Sequence, residues 1–118
     1  MKIFAPKETD PIETRASLDP AAVKKLVGLG AEVLVESGLG VLSDHPDASY
    51  EEAGATIVSD RESSLRSAEI ITRVRKPASE EVEKLKEGAI HISFLDPFQE
   101  TDLIGQFASK KSTAISLE

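Results

Sequence analysis

The chain has 118 residues, a net charge of −7, 40% apolar and 30% charged residues, and no cysteine. That length fits one domain with a real core of modest stability, and without cysteine there is no disulfide framework, thiol nucleophile or thiolate metal site. The acidic balance, the absence of Trp and only five Phe and Tyr together argue against a nucleic-acid partner, and no apolar run is long enough to insert into a membrane.

In chain order, Lys2 to Ala5 reads as a first strand stopped by Pro6, because proline cannot continue a hydrogen-bonded ladder. A polar loop, Lys7 to Ser17, carries Glu8, Glu13 and Arg15. Asp19 is placed to cap a helix with Pro20 in its first position and an apolar stripe from Ala22 to Leu29, closed by Gly30. Val33-Leu34-Val35 lies in a second, buried strand from Glu32 to Glu36. After the turn Ser37 to Gly40, a short helix over Ala48 to Ala53 ends at Gly54, and Ala55 to Val58 is a third strand. Ser59 or Asp60 caps a helix to about Ser67, and Glu69 to Val74 is a fourth strand. Ser79 is the expected N-cap of a short helix with acidic residues in its first turn, carrying Val82 and Leu85 and closed by Gly88. Ala89 to Leu95 is a fifth strand ended by Asp96-Pro97, Gln99 to Lys110 a helix with Leu103, Ile104 and Phe107 on one face, and Thr113 to Leu117 a sixth strand. Strands alternating with helices predict an α/β three-layer sandwich around a mainly parallel, Rossmann-like or flavodoxin-like sheet of about six strands.

The fourth strand runs Ile70-Ile71-Thr72-Arg73-Val74-Arg75-Lys76 into Pro77. If the strand reaches that far, Arg73 and Arg75 share a face. In open α/β sheets ligands bind beyond the carboxyl ends of the strands, so this cluster is either a holder of an anion or carboxylate, or a solvated strand end. Arg15, in the loop after the first strand, and Asp96, after the fifth, belong to the same rim, and Arg15, Arg75 and Asp96 together would form a polar mouth. Asp96 can equally serve as a cap or turn former. No catalytic residue is assigned, since no general base has a visible partner. His45 and His91 have no metal-ligand spacing, and His91 reads as a hydrogen-bonded interior or edge histidine. Gly38-Leu39-Gly40-Val41-Leu42-Ser43 imitates a dinucleotide fingerprint but has Ser43 where a glycine or alanine is needed, and His45-Pro46 follows too soon for a long helix.

Pro6-Lys7-Glu8-Thr9, Glu13-Thr14-Arg15-Ala16, Val35-Glu36-Ser37-Gly38-Leu39-Gly40, the Tyr50 to Ala55 pattern Y-x-x-A-G-A and Arg73-Val74-Arg75-Lys76-Pro77 occur in this order. The chain resembles the N-terminal domain shared by alanine dehydrogenase and the alpha subunit of proton-translocating NAD(P) transhydrogenase, over essentially its whole length. The resemblance implies that Arg15 stands where alanine dehydrogenases hold substrate with an arginine, that Arg75 replaces a substrate-holding lysine, and that Asp96 replaces a catalytic histidine after Phe94-Leu95. Those two replacements, with Phe94-Leu95-Asp96-Pro97-Phe98, point to the transhydrogenase branch.

On that resemblance, residues 1–118 are a single domain, the first half of a two-domain NAD(H)-binding module whose second, glycine-fingerprint domain is absent. The implied function is one wall of the NAD(H) cleft, where hydride passes between NAD(H) and NADP(H). The alternatives are the corresponding domain of an alanine-dehydrogenase-like amino-acid oxidoreductase and a non-catalytic interaction domain. NAD(H) is implied as cofactor of the intact subunit, with none expected on this chain alone, which is expected to be inactive. The implied partners are the second NAD-binding domain and other transhydrogenase subunits, in a cytoplasmic assembly peripheral to the inner membrane. The surface left bare is open to pairing with a second copy as a homodimer.

Overall fold

The computed structural model describes residues 1–96 and 99–117. Its strands are β1 (Lys2–Ala5), β2 (Glu32–Glu36), β3 (Thr56–Val58), β4 (Ile70–Arg75), β5 (Ile90–Phe94) and β6 (Thr113–Ser116). The helices are α1 (Pro20–Gly28), α2 (Asp47–Glu52), α3 (Arg61–Ser67), α4 (Ser79–Glu83) and α5 (Thr101–Ser109), with a 3-10 turn over Val41–Ser43. All strand pairs are parallel, in the order β3-β2-β1-β4-β5-β6. This is the Rossmann order, and the flavodoxin order, in which β3 follows β1 directly, is not the one adopted.

Alternation along the strands divides the core in two. Ala5, Val33 and Val35 pack with Val23 of α1 and Tyr50 of α2 on one face. Phe4, Leu34 and Ile71 pack with Leu65 of α3, Val82 of α4, and Leu103 and Phe107 of α5 on the other. Right-handed crossovers dictate this division: the chain moves outward from β1 to β3 with its helices on one face, then returns to β4 and moves the opposite way with helices on the other. The α1/α2 face over β5 and β6 has no helix of its own among the described residues, and Phe94, Ile115 and Leu117 are 38%, 44% and 53% exposed there.

The local signals mostly act as expected. Asp19 accepts from the Ala22 N–H at 2.8 Å and Asp60 from the Ser63 N–H at 3.1 Å, each satisfying a helix-start donor. Ser79 does not cap α4. The cap position is Ala78, without a side-chain bond, because the Ser79 hydroxyl instead donates to Gln106 of α5 at 2.9 Å while the Gln106 amide returns a bond to the Ser79 carbonyl at 2.8 Å. The reciprocal pair ties α4 to α5 and removes the hydroxyl from its own helix start. The acidic first turn, Glu80 and Glu81, remains to favour the helix dipole.

The glycine-rich turn after β2 is closed from within. Asp47 accepts from the Ser37 hydroxyl at 2.6 Å and the Gly38 N–H at 2.9 Å, so a protein carboxylate occupies the donors a phosphate would use. The hydroxyl bond foremost, then the Gly38 bond, holds the Asp47 carboxyl below its ordinary range. A Cβ on Gly40 would lie 2.6 Å from the Tyr50 hydroxyl and 2.7 Å from the His45 backbone carbonyl, so this glycine answers to close packing. His91 is an interior residue of a central strand, with its ring 5.2 Å from that of Phe107 and its Nδ1 3.4 Å from the Ser93 hydroxyl.

Candidate functional site

The strand order reverses between β1 and β4, and in open α/β sheets the crevice beyond the carboxyl ends at such a point is where ligands bind. Here the loop from Pro6 to Asp19 folds over that crevice and brings its own charges into it. Pro6 prevents β1 from continuing beside β4, which leaves the last N–H groups of β4 without a ladder partner from β1. The Glu8 carboxylate takes them over, accepting from the Val74 N–H at 3.0 Å and the Arg75 N–H at 2.9 Å.

These N–H groups belong to a bulge. Thr72 and Arg75 of β4 face Ile92 and Phe94 of β5, so β4 carries one residue more than its neighbour. The extra residue breaks the alternation expected to place Arg73 and Arg75 in the same surroundings. Arg73 is buried, only 2% of its side chain exposed, and its guanidinium donates to both oxygens of Glu81 at 3.0 Å, with Glu8 3.8 Å from its Nε. It is a structural cation within a paired network, in line with the rule that buried charges are paired. Arg75 emerges at the surface, 44% of its side chain exposed. Both arginines, with Lys76, Thr9 and Asp10, line an open cavity of about 420 Å³.

Arg15 and Arg75 are brought together by a residue that reading along the chain leaves without a role. The carboxylate of Glu13, whose side chain is 3% exposed, accepts from the Arg15 backbone N–H and Nε at 2.9 Å each, from Arg15 Nη2 at 2.8 Å and from Arg75 Nε at 2.8 Å. The Arg15 side-chain bonds foremost, aided by the backbone bond and by Arg75, outweigh burial and hold the Glu13 carboxyl well below the usual carboxylate range. The Arg15 guanidinium carbon also sits 6.0 Å from the ring centre of Phe94, at the limit of a cation–π contact. A second cavity, about 360 Å³, is lined by Arg15, Ser17, Thr72, Ile92, Phe94 and Leu117 among others. The Ser17 hydroxyl donates to the Thr72 carbonyl at 2.9 Å and fixes the loop across the end of β4.

Asp96 stands at the same edge, two residues beyond β5, in a left-handed conformation with φ of 54°. Its carbonyl accepts from the Gln99 and Glu100 N–H groups at 3.1 and 3.0 Å, so it forms the turn toward α5. Arg15 is ion-paired with Glu13, and Arg75 with Glu13 and Asp10. Pro97 and Phe98, the last two residues of the F-L-D-P-F motif, lie outside the described residues. Sequence reasoning missed Glu8 and Glu13 as organisers of this edge. The available signal was the spacing Glu13-x-Arg15 opposite Arg73-x-Arg75, a carboxylate-bearing loop facing a cationic strand end. No cluster of metal-binding side chains exists among the described residues, and none of their helices is long and apolar enough to cross a membrane.

Fold and site together define a Rossmann-order α/β domain with an arginine pair clamped at its topological switch point. The chain belongs to the family described as alanine dehydrogenase/PNT, N-terminal domain, whose model matches residues 4–118. It is 38% identical over 123 residues to an NAD(P) transhydrogenase alpha-subunit polypeptide of Rhodospirillum rubrum, covering all of this chain and 32% of that protein. It is also 38% identical over 118 residues to alanine dehydrogenase of Staphylococcus haemolyticus, covering all of this chain and 31% of that enzyme. The transhydrogenase structure from Sinorhizobium meliloti superposes with a TM-score of 0.92 at 34% identity, over 98% of this chain and 34% of that one. The chain thus spans about a third of the length of these relatives.

Proposed function

We propose that this domain is the first half of a two-domain NAD(H)-binding module in a proton-translocating NAD(P) transhydrogenase alpha subunit, forming one wall of the cleft. The observation that carries the reading is the clamped pair Arg15 and Arg75 at the switch-point edge. Arg75 commits Nε to Glu13, and its two terminal nitrogens make no hydrogen bond among the described residues. Arg15 likewise keeps Nη1. These are donors suited to phosphate or carbonyl oxygens, which is the fit such a cofactor needs. The cofactor itself supplies the hydride chemistry.

A guanidinium group offers only donors, so this wall binds and orients and transfers no proton. Asp96, where alanine dehydrogenases carry the catalytic histidine, supports the same division of labour. The exposed Phe94, Ile115 and Leu117 offer an apolar surface for the second domain beside the mouth. Association with other transhydrogenase subunits at the cytoplasmic side of the inner membrane belongs to this reading. The equal identity to the Staphylococcus haemolyticus enzyme favours one second reading, an alanine-dehydrogenase-like oxidoreductase. Alanine-dependent reduction of NAD by the full-length polypeptide separates the two.

The test is Arg75→Ala in the full-length polypeptide that carries this domain. The substitution removes a charged donor at the mouth and lowers nucleotide affinity or transfer by about tenfold, the scale of one lost charge-assisted hydrogen bond, while the domain stays folded. Unchanged transfer kinetics would take Arg75 out of the cleft.

A further inference from the structure

We propose that Glu13 is a positioning residue, whose buried carboxylate fixes the separation and orientation of the Arg15 and Arg75 guanidiniums that the mouth presents to an anionic ligand. This inference rests on the cleft reading above and adds the device that sets the geometry of the grip.

Four N–H donors converge on the two Glu13 oxygens: the Arg15 backbone N–H and Nε on Oε2, and Arg15 Nη2 and Arg75 Nε on Oε1, all at 2.8–2.9 Å. An ionised carboxylate has about four lone-pair sites, so its acceptor capacity is filled by protein. It has none left for a ligand proton, which excludes a general-base role and leaves placement. The two arginines are long, surface-exposed side chains, 62% and 44% exposed, and nothing in their own rotamers would hold them side by side against mutual repulsion. One buried anion between them offsets that repulsion and fixes both. The anchor is itself fixed, because the Glu13 N–H donates to the Asp10 carbonyl at 3.1 Å and the Ile12 N–H to the Asp10 carboxylate at 3.0 Å.

The arrangement also makes sense of arginine at position 75. A lysine would have to serve both Glu13 and a ligand from one ammonium nitrogen. Arginine divides its fork, giving Nε to Glu13 and keeping both Nη groups for the mouth.

The experiment is a double-substitution cycle in the full-length polypeptide, comparing wild type, Glu13→Gln, Arg75→Gln and the double variant by NADH dissociation constant and thermal midpoint. Glu13→Gln is expected to weaken NADH binding about tenfold in the wild-type background and less than about twofold in the Arg75→Gln background, because coupled neighbours are non-additive. The same fold loss in both backgrounds would overturn the proposal, since Glu13 would then act only through the fold. If Arg75→Gln alone binds NADH as wild type does, the cleft reading fails, and the positioning role is decided separately on the 118-residue chain by NMR of the arginine Nε–H groups. Slowly exchanging Arg15 and Arg75 Nε–H signals that vanish together in Glu13→Gln bear the proposal out. Signals that persist in that variant refute it. Should Glu13→Gln fail to fold, Glu13→Asp, which keeps the charge but retracts the carboxylate, takes its place with the same expected outcomes.

Discussion

Glu8 is the residue on which the end of β4 depends most, and its removal gives the sharpest mechanical test of the site. Glu8→Ala leaves the Val74 and Arg75 N–H groups, now bonded at 3.0 and 2.9 Å, without their acceptor. It also withdraws the carboxylate that lies 3.8 Å from the buried Arg73 Nε. A hydrogen bond to a charged acceptor contributes about 1.5–3 kcal/mol net. Water can replace part of the loss at Arg75, which is exposed, but much less at Val74 and Arg73, which are buried. The sum is a destabilisation of about 2–4 kcal/mol, or roughly 8–16 °C in thermal midpoint for a domain of this size. Glu8→Gln keeps one acceptor oxygen and turns an amide donor toward the other N–H, so about half of that loss is expected. Urea unfolding of the 118-residue chain, followed by circular dichroism, measures both. A loss under about 0.5 kcal/mol for Glu8→Ala, the range of an ordinary surface change, would show that the bulge does not rely on this carboxylate.

Two further outcomes follow from packing and burial. Gly40→Ala places a methyl group 2.7 Å from the His45 carbonyl and 2.6 Å from the Tyr50 hydroxyl, and should cost about 1–3 kcal/mol in the same unfolding assay; a neutral result would mean the turn shifts freely. His91 is pushed down to about 3 from 6.5, by burial first and the Arg73 charge second, so the unfolded chain takes up a proton where the folded chain does not. Stability should therefore fall as pH drops from 6.5 toward 3, and His91→Leu should flatten the upper part of that slope. The Glu13 carboxyl, held below its ordinary 4.5 chiefly by Arg15, contributes fully above that pH, and its contribution is lost only as acid drives the proton on. A wild-type unfolding curve flat between pH 6.5 and 4.5 would contradict the buried neutral histidine.

The architecture was readable because its punctuation is local. Pro6, Pro20, Gly30, Gly54, Asp19 and Asp60 each act on their own backbone, so the element boundaries fall within a residue or two of expectation except at α4, which ends at Glu83 and leaves Leu85 and the expected closing Gly88 outside the helix. The β4 bulge was not readable. It depends on a side chain 66 residues away in sequence, Glu8 accepting from Val74, and no window along the chain reports that. The same holds for Ser79, whose local capping preference is overridden by Gln106 of a later helix. Strand ends and loop positions put Arg15 and Arg75 on one rim as cations but did not supply the anion between them, because an acidic loop residue looks solvated until the fold buries it. Arg73 shows the converse. It reads as one of three cations at a strand end, and the extra residue of the bulge accompanies its burial against Glu81 and Glu8.

The proposed one-wall role predicts that residues 1–118 do not by themselves complete an NAD(H) site. Calorimetric titration of NADH into the 118-residue chain tests this most directly. The one glycine-rich turn of fingerprint type has its donors filled by Asp47, and half a cleft leaves the cost of immobilising the ligand largely unmet. The expected result is no saturable isotherm below about millimolar, equivalent to about 4 kcal/mol of binding free energy. A saturable micromolar isotherm would contradict the account, because the pocket would then be complete within these residues.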